Sequence, residues 1–253
     1  FALLAGTATT FSLATPLLAG AISSVTGIPQ STGLTLVILV IVCAIYTFSV
    51  YFGMKGVQLS AATCTWLFFG LLAYVFFFGG QTRFIIEEGI TALGNMTQNF
   101  IGLATWTDSL RTSSFPQTWT IFYWAYWMVW CVAVPFFIGS ISKGRTLRQV
   151  ILGGYVFGLS GTFTSFIIMG NYGLGLQMHG KLDVLSSYAA DGNLYHAILD
   201  ILGQLPLSKA VLVLLVLCMI TFYSTSFDSI TMVASTYTYK ELKSDEEPHR
   251  NVK

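Results

Sequence analysis

Positions Trp119 to Trp130 read WTIFYWAYWMVW: seven of the twelve residues are aromatic, and four are tryptophans out of six in the chain. An aromatic face carries negative potential, so several together can hold a cation that has no hydrogen to donate. A quaternary ammonium group is such a cation. A helix turns by about 100° per residue, which gathers Trp119, Tyr123, Tyr126, Trp127 and Trp130 on about one third of its circumference, with Trp124 off that stripe. Trp and Tyr ordinarily collect at the membrane–water boundary. Trp119 and Tyr123 suit such a belt, whereas Trp127 and Trp130 lie about two to three turns deeper. Their indole N–H groups need partners at that depth. On spacing alone two readings stay open: a stripe packed against neighbouring helices, and a ligand box.

A second group is Ser224-Thr225-Ser226-Phe227-Asp228-Ser229. Asp228 is the acidic residue that lies well inside an apolar stretch. Burying a carboxylate in a membrane costs several kcal/mol unless it is paired, so its presence suggests a function. Hydroxyl and carbonyl oxygens are hard ligands suited to alkali cations. The plainer reading has the hydroxyls bonding back to their own helix, with Asp228 near an aqueous mouth; both stay open. Thr7, Thr9 and Thr10 form a smaller hydroxyl group, readable as ion ligands or as small residues for close helix packing. His179 and His196 fall in polar segments and read as solvated. Cys43, Cys64, Cys131 and Cys218 lie in or beside apolar stretches and read as small buried residues. They show no CxxC or Cys/His spacing, so neither a zinc site nor a disulfide framework is expected. No nucleophile–base pair, Walker motif or metal-ligand set occurs, so no catalytic residue, metal or cofactor is expected.

The elements that must position these groups are membrane helices. The chain is 54% hydrophobic and 9% charged, where a soluble domain has about 25% charged residues. Its mean hydropathy is +0.70. Six apolar segments, at about 1–23, 33–52, 65–80, 119–141, 150–170 and 209–237, approach the ~20 residues that cross a bilayer. Residues 1–239 thus read as one transmembrane core. The charged stretch 240–253 reads as a disordered cytoplasmic tail. Residues 84–96 have helical spacing and a polar face, as in a helix lying on the membrane. Residues 172–206 read as a polar excursion with short amphipathic pieces. Lys55, the Lys143/Arg145/Arg148 link and Lys240/Lys243 all fall on one side if the six spans alternate, and the positive-inside rule makes that side cytoplasmic. The net charge of +1 argues against a nucleic-acid partner. Phe1 already lies inside an apolar stretch, with no initiator Met or basic leader, so the chain is expected to be part of a longer protein or the product of a truncated gene.

The run Trp119-Thr-Ile-Phe-Tyr-Trp124-Ala-Tyr126-Trp127 resembles the signature of the betaine/carnitine/choline transporter family: Trp-Thr-aliphatic-any-aromatic-Trp-any-Trp-Trp after a small polar residue. The chain departs from it at Thr118, where Gly, Ser, Asn or Asp is usual, and at Tyr126, where Trp is usual. The basic link Ile141-Ser-Lys-Gly-Arg-Thr-Leu-Arg148, the Phe115-Pro-Gln-Thr segment and Lys55-Gly-Val-Gln also resemble the family. The resemblance implies an all-α polytopic bundle, part of a LeuT-like fold of inverted repeats. It implies correspondence to the family's fifth to tenth helices, without the glycine-rich third. It places the substrate box on Tyr126, Trp127 and Trp130, with Trp124 beside it and Trp119 at a more external site. Thr225-Ser226-Phe227-Asp228-Ser229 resembles the Thr-Ser-any-Asp-Ser motif of sodium-coupled members, in which the first two residues ligate sodium. Sodium-independent exchangers carry an arginine where Cys64 falls and a methionine where Val134 falls. The resemblance therefore implies symport of betaine, choline or carnitine with sodium as the coupling ion, in a multi-pass protein of the inner (plasma) membrane that forms homotrimers. A sodium-independent antiporter and a non-transporting sensor of the same ligands are the alternatives.

Overall fold

The computed structural model describes residues 2–131, 134–191 and 194–236. Every regular element among them is a helix. Five helical stretches are long and apolar enough to cross a membrane: Ala8–Thr26, Thr32–Tyr51, Lys55–Phe78, Leu147–Met178 and Ser208–Ser235.

α1 (Ala2–Thr26), α2 (Thr32–Tyr51) and α3 (Met54–Phe78) follow one another through short links. Ser31 starts α2 by accepting the Leu34 N–H at 3.2 Å, which satisfies one orphan donor of the first turn. α3 begins eleven residues before the span expected at 65. Gly53, at φ +68°, makes the reversal, and the polar residues Lys55 and Gln58 are simply its first turns. α12 (Ser208–Thr236) is the central helix and packs along α1, α2 and α3. One core cluster joins Leu71, Val75, Ile85, Tyr172, Leu202 and Cys218. The other joins Leu18, Ile38, Val42, Tyr223 and Phe227.

The segment expected to lie on the membrane is α4 (Thr82–Gln98), which buries Ile85 and Gly89. Arg83 and Glu87 pair at 2.7 Å on its outer face. α5 (Phe100–Thr105) follows. The span expected over 119–141 is built from pieces: a π-turn Pro116–Thr120, α6 (Ile121–Trp130) and α7 (Val134–Ile141). Pro135 sits in the first turn of α7, where its missing N–H has no helical partner to lose.

α8 (Leu147–Ser165) opens with a capping box: Thr146 accepts the Gln149 N–H and the Gln149 side chain accepts the Thr146 N–H. A π-turn, Phe166–Gly170, carries the chain into α9 (Asn171–Met178). The polar excursion expected from Tyr172 therefore begins later. Tyr172 is buried (1% exposed), and Gly79 packs close to its ring, where a Cβ would come within 2.7 Å of Cε2. This packing extends the helix across residues whose polarity suggested a loop. α10 (Val184–Asp191) and α11 (Leu194–Gly203) complete the excursion. Cys64 and Cys218 are buried as expected, but Cys131 is exposed because it lies just past the end of α6. The expected tail, 240–253, lies outside the described residues.

Candidate functional site

The aromatic helix is aimed by its entry. Asp108 accepts five hydrogen bonds, from the N–H and hydroxyl of Thr112 (3.1 and 2.9 Å), those of Ser113 (2.9 and 3.1 Å) and the Ser114 N–H (2.9 Å). The Ser113 N–H first, then the hydroxyls and the Thr112 N–H, hold its carboxyl down at about 2. Gln117 donates to the Thr107 carbonyl at 2.9 Å, tying the start of the π-turn back to the same loop. A π-turn inserts a residue into the helical register and often marks functional sites. Here it separates Trp119 from the residues of α6.

Two faces of α6 then differ. Tyr126 turns toward α1, where its hydroxyl lies 2.7 Å from that of Thr10. Trp130 packs against the core cluster that holds Phe227. Its indole N–H is buried with no partner among the described residues. Tyr126 stands edge-on to Trp127 (6.1 Å, 77°) and to Trp130 (6.0 Å, 62°). The other face is open. Trp127 is 61% and Trp124 71% exposed. Together with Thr120 and Tyr123 they line a cavity of 380 Å³. Trp119 stacks on Tyr123 at 6.2 Å and 21°, extending this aromatic wall outward. The expected trio is therefore divided. Tyr126 and Trp130 bear on a neighbouring helix, while Trp127 joins Trp124 on the open face. Positions 120, 123, 124 and 127 follow i, i+3, i+4, i+7 and share that face.

The second site lies where α12 meets the α2–α3 elbow. Asp228 is wholly buried. Ser49 donates to its Oδ2 at 2.8 Å, and Oδ1 has no partner among the described residues. The hydroxyls of Ser60 and Thr225 are 3.5 Å apart. Thr225 donates to the Thr221 carbonyl at 2.8 Å, leaving its lone pairs toward Ser60. The Ser224 hydroxyl is buried and without a partner among the described residues; Ser226 is half-buried. The elbow fixes this geometry. A Cβ on Gly56 would lie 2.1 Å from the Ser49 carbonyl, so glycine lets α3 pass close enough to seat Ser49 and Ser60 over Asp228. The cluster offers hydroxyl oxygens and one unsatisfied carboxylate oxygen, a hard donor set for a small cation.

Thr10 is placed with Tyr126, not with this cluster. Thr9 bonds back to the Ala5 carbonyl at 2.9 Å. The Thr7 side chain lies outside the described residues. His179 caps the end of α9 through Nδ1 and the Gly175 carbonyl, 2.7 Å apart. Ser49 and Ser60 escaped the sequence reading. The signal for them was Gly53 and Gly56 between two apolar spans, each four positions from one serine.

The sequence matches the profile described as betaine/carnitine/choline family transporter over residues 1–253. It is 29% identical over 234 residues to a protein named "Carnitine transporter" from Acinetobacter baumannii, covering 92% of this chain and 42% of that protein. It is 29% identical over 239 residues to a "Probable glycine betaine transporter" from Desulfitobacterium hafniense, covering 94% and 47%. An uncharacterized transporter of Escherichia coli is 27% identical over 233 residues, covering 92% and 48%. The chain thus spans about half the length of these relatives.

Proposed function

Because the chain belongs to the betaine/carnitine/choline family of transporters, we propose that it is part of a secondary transporter that moves a trimethylammonium compound across the plasma membrane by symport with sodium. The observation that carries the substrate class is the open aromatic face of α6. Trp127 stands between the 380 Å³ aromatic cavity and a larger cleft beside α7 and α8, so its ring can meet a ligand from either. A quaternary ammonium, which has no hydrogen to donate, finds there aromatic rings to lie against. Tyr126 and Trp130 set the angle of that wall from behind, and Trp119 lies on the outer approach. Each cation–π contact contributes about 0.5–2 kcal/mol.

The coupling ion is assigned to Asp228 and Thr225 with Ser49 and Ser60, and Ser226, the next position of the motif, is taken as a further ligand. This follows from the orphaned Oδ1 and the hydroxyls around it. An unpaired carboxylate oxygen in a wholly buried setting is expensive, and a small cation offsets that cost. A homotrimer is the expected assembly.

The test is counterflow of labelled choline, glycine betaine and carnitine by the intact protein in proteoliposomes. At least one compound is expected to exchange. Trp127→Leu should weaken its binding by roughly 3- to 30-fold. No counterflow with any of the three, or unchanged affinity in Trp127→Leu, rejects the reading. Equal uptake with and without a sodium gradient would retain the substrate class but overturn the coupling.

A further inference from the structure

The hydroxyls around Asp228 on α12 mostly bond back to their own helix. Thr221 donates to the carbonyls of Leu217 and Cys218, Thr225 to that of Thr221 and Ser229 to that of Thr225. Such back-bonding is the usual resort of a Ser or Thr in mid-helix. Ser224 departs from it. The residue is 2% exposed, and its Oγ is buried with no hydrogen-bond partner among the described residues. It does not use even the Ile220 carbonyl one turn back. Leaving a buried hydroxyl unmatched costs stability, so packing alone gives no reason for a serine here.

The place of Ser224 on the helix supplies a reason. At about 100° per residue, it lies about 40° round α12 from Asp228 and one turn from it along the axis, with Thr225 about 60° to the other side. Ser224 Oγ and Asp228 Oδ1 are the buried side-chain oxygens of α12 left without partners among the described residues. They share one face of the helix, one turn apart. A direct hydrogen bond would satisfy both, and the structure does not make it. Asp228 is 0% and Ser224 2% exposed. The interior of this chain, not its outer surface, therefore leaves the two atoms unmatched.

We propose that Ser224 is a ligand of the coupling cation, which lies between its Oγ and Asp228 Oδ1, with Thr225 and Ser60 at one side. This rests on the reading of the Asp228 cluster as the ion site. It adds a residue one position ahead of the Thr-Ser-any-Asp-Ser motif, where the motif specifies nothing. The carboxylate supplies the charge and the hydroxyl a neutral hard oxygen. Coordination uses a lone pair of Oγ, and the hydroxyl proton then turns to the Ile220 carbonyl, as those of Thr225 and Ser229 turn to theirs. Without the ion the hydroxyl has nothing to bind. Its removal therefore has opposite effects in the free and the ion-bound protein.

The thermal midpoint of the intact protein is measured in potassium chloride and across a sodium chloride titration at constant ionic strength. Sodium should raise the midpoint of the unaltered protein, because a ligand of the folded state stabilises it. In potassium, S224A should melt at the same temperature or higher, since an unmatched hydroxyl is gone. The sodium concentration for its half-maximal rise should increase at least roughly tenfold, as for a lost contact to a charged group. S224C keeps nearly the same volume but offers a soft sulfur, which suits alkali cations poorly, so it should lose sodium affinity as S224A does. A lower midpoint of S224A in potassium would mean that the hydroxyl is bonded without the ion. An unchanged sodium titration in S224A or S224C would mean that the ion does not touch it. Either result overturns the proposal and leaves the ion at Asp228 standing. An unaltered protein whose midpoint ignores sodium, and whose uptake is equal with and without a sodium gradient, overturns both.

Discussion

The hydroxyl that Tyr126 brings to the aromatic helix has a defined role. Thr10 has one hydroxyl proton, and it goes to the Gly6 carbonyl at 2.9 Å. Tyr126 must therefore be the donor across the 2.7 Å contact between them. The phenol ring is then held by one directional bond, and with it the edge it presents to Trp127. The family signature carries tryptophan at this position, whose one donor is a ring N–H in place of a hydroxyl. A double-mutant cycle checks the pair. Thr10→Val and Tyr126→Phe should each cost about 0.5–1.5 kcal/mol of stability. The double variant should cost no more than the larger single effect, because both remove the same bond. Additive losses would mean that no bond joins them. The departure of Tyr126 from the signature was legible in the sequence. Its partner was not, because 116 positions separate the two residues and Thr10 resembles its neighbouring threonines.

At the scale of elements, loops and turns decide where the chemistry points. The loop that feeds the aromatic helix is wound around Asp108, whose carboxyl is held at about 2 chiefly by the Ser113 N–H. An unfolded aspartate titrates near ~3.9. The folded value is the lower one, so the stabilisation is fully present above about pH 4 and is lost as pH falls toward 2. Amide resonances of Ser113 and Ser114, followed by NMR from pH 6 downward, should titrate with a midpoint near 2. A midpoint near 4 would show that the five hydrogen bonds do not hold. Asp108→Asn should abolish the titration. The same scale shows what sequence reading could reach. Hydropathy located five of the long helices, since continuous apolar runs have few alternatives in a membrane. It cut α3 and the α8–α9 helix short, because Lys55, Gln58 and Tyr172 look polar in a list yet extend helices whose packing absorbs them. The two π-turns had no signature at all. The hydroxyls over Asp228 depend on a close helix approach at Gly56; the two glycines hint at a tight elbow, but the sequence does not say which serines it seats there.

For the whole molecule, the ion site proposed at the buried cluster entails a testable linkage between ion and substrate. α12 carries Asp228 and Thr225, and it also carries Phe227, which stacks on Phe11 of α1 at 4.0 Å. Trp130 packs against that same aromatic cluster. The ion cluster and the aromatic helix are therefore joined through α12 and α1 by contiguous side-chain packing, the kind of path along which two sites can bias one conformational equilibrium. If sodium at Asp228 favours the arrangement that binds substrate, then the substrate must raise sodium affinity by the same factor. Couplings of this kind typically amount to about 5- to 150-fold. Tryptophan fluorescence of the intact protein measures both sides. Substrate titrations in sodium and in potassium should differ by such a factor, and sodium titrations with and without substrate should give the same ratio. Asp228→Asn removes the charge but keeps the shape and one acceptor oxygen. It should collapse both ratios toward one while leaving substrate affinity in potassium near its original value. Ratios that survive in Asp228→Asn would place the coupling ion elsewhere in the protein. Ratios of one in the unaltered protein would leave the cluster as a structural joint between α12 and the α2–α3 elbow.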